Sequence, residues 1–177
     1  MIRMRFFTEE DKGVMFRLAK AHEPFTEHVT PDMFLARIAD QEGWIFEDDG
    51  QLVGYLTLST FQPLHSALIH ATIRPEYRGL WIGMSNLRAV FGHLFNGDCL
   101  DLEKVYAYAV VGETYPAAKL LDSLGFQREG LDRRGLKLVD GRVFDLVRYG
   151  MLREECPWIK PRSEIRQWLK ARRTRVH

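Results

Sequence analysis

Ile2, Met4 and Phe6 interleave with Arg3 and Arg5 at the start of the chain, a period of two that predicts a first strand. Thr8 followed by Glu9, Glu10 and Asp11 then reads as a helix start with acids in the first turn. Val14, Leu18 and Ala21 fall at helical spacing, and Pro24 ends that run. Thr30-Pro31-Asp32 opens a second short helix whose apolar face is Met33, Phe34, Ile38 and Ala39. Between the two, His22 to Val29 reads as a loop holding Glu23, Phe25, Glu27 and His28. Trp44-Ile45-Phe46, a turn at Asp48-Asp49-Gly50 and the run Leu52 to Phe61 predict a hairpin. Leu68 to Ile73 is a further strand, and a helix is expected from Met84 to about Phe95. Val105 to Val111 reads as a buried strand, and Tyr115 to Leu124 as a helix closed by Gly125. A return strand begins at Phe126, and Asp140-Gly141 joins Gly135–Val139 to Val143–Leu152 as a second hairpin.

Hairpin strands followed by strands alternating with helices predict an α/β domain: a mixed, mostly antiparallel twisted sheet with helices on both faces. The 177 residues suit one such domain, expected over 1–155. Residues 156–177 form a tail with seven Lys/Arg against Glu164, a net charge of +6, while the rest of the chain carries −5. Ile165, Trp168 and Leu169 make an apolar stripe, so Ser163 to Arg173 is expected to be helical and to cap the domain. The competing reading is a basic arm that binds nucleic acid or an acidic partner.

Composition narrows the setting. Cys99 and Cys156 are the only cysteines and lie in no ligand spacing, so neither a disulfide framework nor a metal site is expected. No apolar run approaches the ~20 residues needed to span a bilayer, and the first twelve residues have no signal-peptide core. A cytoplasmic protein, monomeric or homodimeric and without membrane contact, is the expectation.

Candidate chemistry concentrates from Leu68 to Phe91, where a strand runs through Arg78-Gly79-Leu80-Trp81-Ile82-Gly83 into a helix. Exposed N–H groups at a helix start, together with the helix dipole, favour a phosphate there. Glycines let the backbone approach the ligand closely.

With the unit Ala118 to Phe126 downstream, this stretch resembles the GNAT acetyltransferase superfamily, whose fingerprint at this junction is Arg/Gln-x-x-Gly-x-Gly/Ala. Glu129-Gly130, Gly141, Asp145, Tyr149 and Leu152 to Glu155 make it similar to the ribosomal-protein N-acetyltransferase branch. The resemblance covers roughly residues 1–155. It implies a GNAT fold and transfer of an acetyl group from acetyl-CoA, used as co-substrate without a metal, to a primary amine on a protein N-terminus or a small molecule. In the family, the strand before the fingerprint bulges and splays from the next. The pantetheine would pair with backbone near Thr72 and Ile73, and the pyrophosphate would sit on the N–H groups of Arg78, Gly79, Ile82, Gly83 and Met84. A backbone N–H in the bulge would hold the oxyanion.

The chain departs from that pattern in three places. Trp81 replaces the central glycine, as in some members of the branch. Leu121 stands where a tyrosine usually protonates the leaving thiolate, and Thr114-x-x-Ala117 replaces Asn-x-x-Ser. Thr114 is either a pantetheine contact or a helix N-cap. These losses raise the alternative of a non-catalytic binding protein with this fold. An attacking amine is mostly protonated at neutral pH and needs a base. His70, on the strand before the fingerprint, is of the right residue type, unless it lies on the wrong face of the sheet. Asp145 matches a recurrent acid of the branch but could equally pair with Arg148 or Arg128. Glu129 is a third candidate, or simply the start of a strand. Glu27 and His28 lie in the loop that walls the acceptor site in the family.

Overall fold

The computed structural model describes residues 2–23, 29–61, 65–77, 83–96, 99–112, 117–138 and 140–173. Strands are β1 (Arg3–Phe6), β2 (Glu42–Asp48), β3 (Gln51–Phe61), β4 (Ser66–Ile73), β5 (Lys104–Val110), β6 (Gln127–Lys137) and β7 (Val143–Leu152). Helices are α1 (Lys12–His22), α2 (Pro31–Ile38), α3 (Gly83–Phe95), α4 (Ala117–Leu124) and α5 (Arg162–Arg173). The seven strands form one sheet in the order β1-β2-β3-β4-β5-β7-β6. Among the described residues only the β4–β5 pair is parallel. The mixed α/β architecture is the one the patterning predicts, with one difference in detail. The two separate strands expected after Phe126 are a single strand, β6, whose register against β7 shifts at 128/130 and again at 132/136. Arg134, at φ 56°, lies in the second irregularity, and its N–H is taken by the Asp145 carboxylate at 2.6 Å.

Alternation along the strands divides the core in two. Ala67, Ile69, Val105, Ala107, Ala109, Val147, Tyr149 and Met151 join residues of α3 and α4 in a large apolar cluster. On the other face, Ile45 and Tyr55 pack with Met15, Leu18 and Ala19 of α1 and with Phe34 and Ile38 of α2. Thr30 starts α2 as expected, its hydroxyl accepting from the Met33 N–H at 3.3 Å with Pro31 in the first turn. At the head of α1, Asp11 reaches back to the Thr8 N–H at 2.7 Å and takes a bidentate pair from Arg5 at 2.7 and 2.8 Å. That guanidinium, first of all, holds the Asp11 carboxyl down at about 2.

Residues beyond β7 close over α3 and α4. Trp158 is buried, its indole N–H donating to the Leu124 carbonyl at 2.8 Å, and Trp168 meets it edge-on at 5.7 Å. Ile165 of α5 is fully buried, and Arg88 of α3 donates to the Lys160 carbonyl. Gly125 ends α4 at φ +104°, with Trp168 3.1 Å and Pro157 3.3 Å from where a Cβ would stand. Glycine there answers both the left-handed turn and the close approach of the C-terminal segment.

Candidate active site

β4 and β5 pair only at Ser66↔Lys104, Ala67↔Val105 and Leu68↔Tyr106, then diverge. The β3–β4 ladder continues without a register shift from Phe61↔Ser66 to Gly54↔Ile73. The opening therefore comes from β5 leaving β4, the splay expected of these strands, and no bulge interrupts the β3–β4 ladder among the described residues. The ladder also fixes which backbone groups face the slot. Arg74 donates to the Val53 carbonyl at 2.9 Å, so by antiparallel alternation residues 72, 70 and 68 turn their N–H groups to β3. Those of Ile69, Ala71 and Ile73 turn towards β5. Thr72, expected beside Ile73 as a cofactor contact, has its own backbone directed to β3. Of the fingerprint, Arg78, Gly79, Trp81 and Ile82 lie outside the described residues, as does Thr114; so does the Met84 side chain. Gly83 begins α3 at φ +75°, with no atom of the described residues within 4 Å of where a Cβ would stand.

His70 and Thr72 project from β4 to the α1/α2 side, level with Thr57 and Tyr55 of β3. Three of them, Tyr55, His70 and Thr72, meet the end of α1, where the chain leaves the helix at Glu23. One carboxylate oxygen of Glu23, Oε1, accepts from the Tyr55 hydroxyl at 3.0 Å and from the Thr72 hydroxyl. The other, Oε2, lies 3.6 Å from His70 Nε2. Tyr55 and Thr72 are buried, the Glu23 side chain is 16% exposed, and the imidazole, 44% exposed, opens to solvent. Burial, and next the neighbouring Glu23 charge, push the Tyr55 hydroxyl far up, so it acts as a hydrogen-bond donor. Tyr106 and Tyr108, on the same side of β5, stand 6.2 Å apart at right angles. Desolvation raises Tyr106.

The other two acidic candidates are elsewhere. Asp145 is committed to the Arg134 N–H. Glu129 sits at the first β6 irregularity, lying against Gly150 and pairing with Lys104 Nζ at 2.7 Å. Glu27 and His28 fall outside the described residues. Leu121 is buried in the α3/α4 cluster. Sequence reasoning placed Glu23 only in a loop. Its signal, an acid directly after the α1 periodicity, becomes specific once Tyr55 and Thr72 are known to be cross-strand partners.

The mixed sheet opens between the parallel strands β4 and β5, α3 starts at Gly83 beyond β4, and the Glu23–His70 contact lies on the α1/α2 side. The family model for the acetyltransferase (GNAT) family matches residues 7–126, and the chain belongs to that family. No curated relative matches in sequence. Among solved structures, a spermidine N-acetyltransferase SpeG chimera from Vibrio cholerae and hSSAT superposes with a TM-score of 0.71 at 21% identity, covering 90% of this chain and 99% of that one. The dodecameric spermidine N-acetyltransferase from Vibrio cholerae gives 0.66 at 21% identity, covering 86% and 94%. The ribosomal-protein-S18-alanine N-acetyltransferase from Escherichia coli gives 0.68 at 15%, also covering 86% and 94%. These likenesses establish the fold. No helix among the described residues is long and apolar enough to cross a membrane.

Proposed function

We propose that the protein transfers the acetyl group of acetyl-CoA to a primary amine, with the amine received at Glu23 and His70. The observation that carries this reading is the Glu23–His70 pair, whose imidazole projects from β4, the strand that borders the β4–β5 opening. An extended pantetheine arm would lie along this opening, where Ile69 and Ala71 offer strand-edge groups and Ala71 is exposed. Gly83 leaves room for a phosphate at the start of α3. Acetyl-CoA supplies the activated acyl group. The chain's own residues supply the rest.

The carboxylate of Glu23 attracts an ammonium, and Tyr55 and Thr72 hold that carboxylate in place by occupying Oε1. Imidazole Nε2 of His70 takes the ammonium proton, and Glu23 Oε2 steadies the imidazolium that results. The freed amine nitrogen forms a bond to the thioester carbonyl carbon, the C–S bond breaks, and the nitrogen loses its second proton to solvent, which in turn protonates the leaving thiolate. A backbone N–H on the β4 edge stabilises the oxyanion. Asp145 and Glu129 serve the geometry of β6 and do not touch the reacting atoms. Neighbours that act on spermidine and on a ribosomal-protein alanine support an amine acceptor in general. A monomer or homodimer remains our expectation for assembly, to be read by light scattering.

The test is a thermal-shift titration with acetyl-CoA, which at a hundred times its Kd should add about 2.7 kcal/mol of stability. Gly83→Asp, which sets bulk and like charge against the phosphates, should abolish the shift. An unchanged shift in that variant would refute the placement, and no shift in the wild type would refute the activity.

A further inference from the structure

The α1/α2 side of the sheet also carries three aromatic rings that neither proton transfer nor core packing uses. On β3, Tyr55, Thr57 and Phe61 share that side by alternation, as do Leu68 and His70 on β4. Leu68 pairs with Tyr106, which brings Tyr106 and Tyr108 of β5 to the same side. The Phe61 and Tyr106 rings lie 6.0 Å apart, and Tyr106 meets Tyr108 at 6.2 Å with their planes at 90°. Among the described residues none of the three belongs to either apolar cluster. Phe61 is 40% exposed, and both tyrosines are half-buried.

Their place relative to the opening gives the rings a use. β4 and β5 part beyond the Leu68↔Tyr106 pair, so Tyr106 stands at the closed end of the opening. His70 follows two residues further along β4, about 6–7 Å from Leu68 on the same side. An amine at the imidazole therefore has the rings beside it. Two rings at right angles make a corner in which a third can stack on one and meet the edge of the other, the arrangements that aromatic pairs favour. Arg148, exposed and in register with Tyr108, adds a positive charge on this side, which a second ammonium on the acceptor would meet. We propose that the acceptor is an amine carried on an aromatic group, an arylalkylamine, and that Phe61, Tyr106 and Tyr108 determine this specificity. The proposal rests on the acetyltransferase reading above and names the acceptor class of that same site.

The experiment measures CoA thiol release with a panel of benzylamine, 2-phenylethylamine and 3-phenylpropylamine, each set against the alkylamine that lacks the ring, and with spermidine. At least one aryl amine should exceed both its matched alkylamine and spermidine in kcat/KM by about tenfold or more, because the bare alkylamine leaves the rings in water. In Phe61→Ala and in Tyr106→Leu that ratio should fall towards one, mainly through the KM of the aryl amine. Phe61 is exposed, so its variant keeps the fold even where Tyr106→Leu does not. Binding of the same aryl amines is followed by calorimetry without acetyl-CoA, so the rings are judged whether or not turnover is seen. Equal use of aryl and alkyl amines, a preference for spermidine, or no binding of any aryl amine overturns the proposal. So does a pair of variants whose main defect is a raised KM for acetyl-CoA, which would give the rings to the co-substrate. If acetyl-CoA still shifts the melting temperature while these results fail, only this inference falls and the acetyltransferase reading stands.

Discussion

The two faces of the sheet are built by different rules. Under α3 and α4 the inward positions are apolar almost throughout, and the C-terminal segment adds Cys156, Trp158 and Ile165 to the same cluster. Under α1 and α2, the face that buries Met15, Phe34 and Ile38 also carries Tyr55, Thr57, Thr72, Glu23 and His70. Burying hydroxyls and a carboxylate costs free energy unless they are hydrogen-bonded, and here the Tyr55 and Thr72 hydroxyls both donate to Glu23. One face holds the fold together. The other spends part of its packing on a polar, solvent-reachable pair, which is where we propose that the amine is received.

Substitutions should separate the faces by what they change. The largest effect on stability is expected from Trp158→Ala, which empties a fully buried site and removes the bond to the Leu124 carbonyl, costing roughly 3–5 kcal/mol. Denaturant melts would show it, while a small change would mean that the C-terminal segment does not cap α3 and α4. Leu121→Tyr sharpens the comparison. Because Leu121 is buried in the apolar cluster, a phenol there should overpack at roughly 1–3 kcal/mol without raising turnover. A faster enzyme of unchanged stability would instead put position 121 at the thioester.

Asp11 gives a smaller, pH-dependent effect. Its folded pKa of about 2 lies below its unfolded value, so the Arg5 pair stabilises fully above about pH 4, and that stabilisation is lost as pH falls towards 2. Since Arg5 is nearly half exposed, Asp11→Asn should cost only roughly 1–2 kcal/mol at neutral pH. Wild type and variant should converge near pH 2, and a gap independent of pH would contradict the pairing. The cysteines give the mildest contrast. Burial pushes the Cys156 thiol up to about 11, whereas Cys99 is exposed. Iodoacetamide should label Cys99 in the native protein and reach Cys156 only on unfolding.

How legible these faces were differs in the same way. The apolar face follows from periodicity alone: Val105 to Val111 and the helix closed by Gly125 are readable because every inward position is hydrophobic. β6 was less readable, since Arg128, Glu129, Asp132, Arg133 and Arg134 break the alternation where the register shifts. The polar face is the hardest to read, because its meaning lies in pairs far apart in sequence. His70 could be nominated by residue type, but its carboxylate partner is 47 positions away. Asp145 attracted attention as an acid on a late strand. Only the irregularity opposite reveals that it serves the Arg134 N–H.

The most direct test of the division of labour is the His70→Ala variant, measured with acetyl-CoA and whichever acceptor the amine panel identifies. The imidazole is nearly half exposed and its nearest charged partner keeps Tyr55 and Thr72, so melting temperature and acetyl-CoA shift should stay close to wild type. Turnover should fall by about 10²–10⁴, the usual contribution of a positioned base. A variant that turns over at the wild-type rate would contradict the account, and one that loses stability and turnover together would make His70 a part of the packing instead.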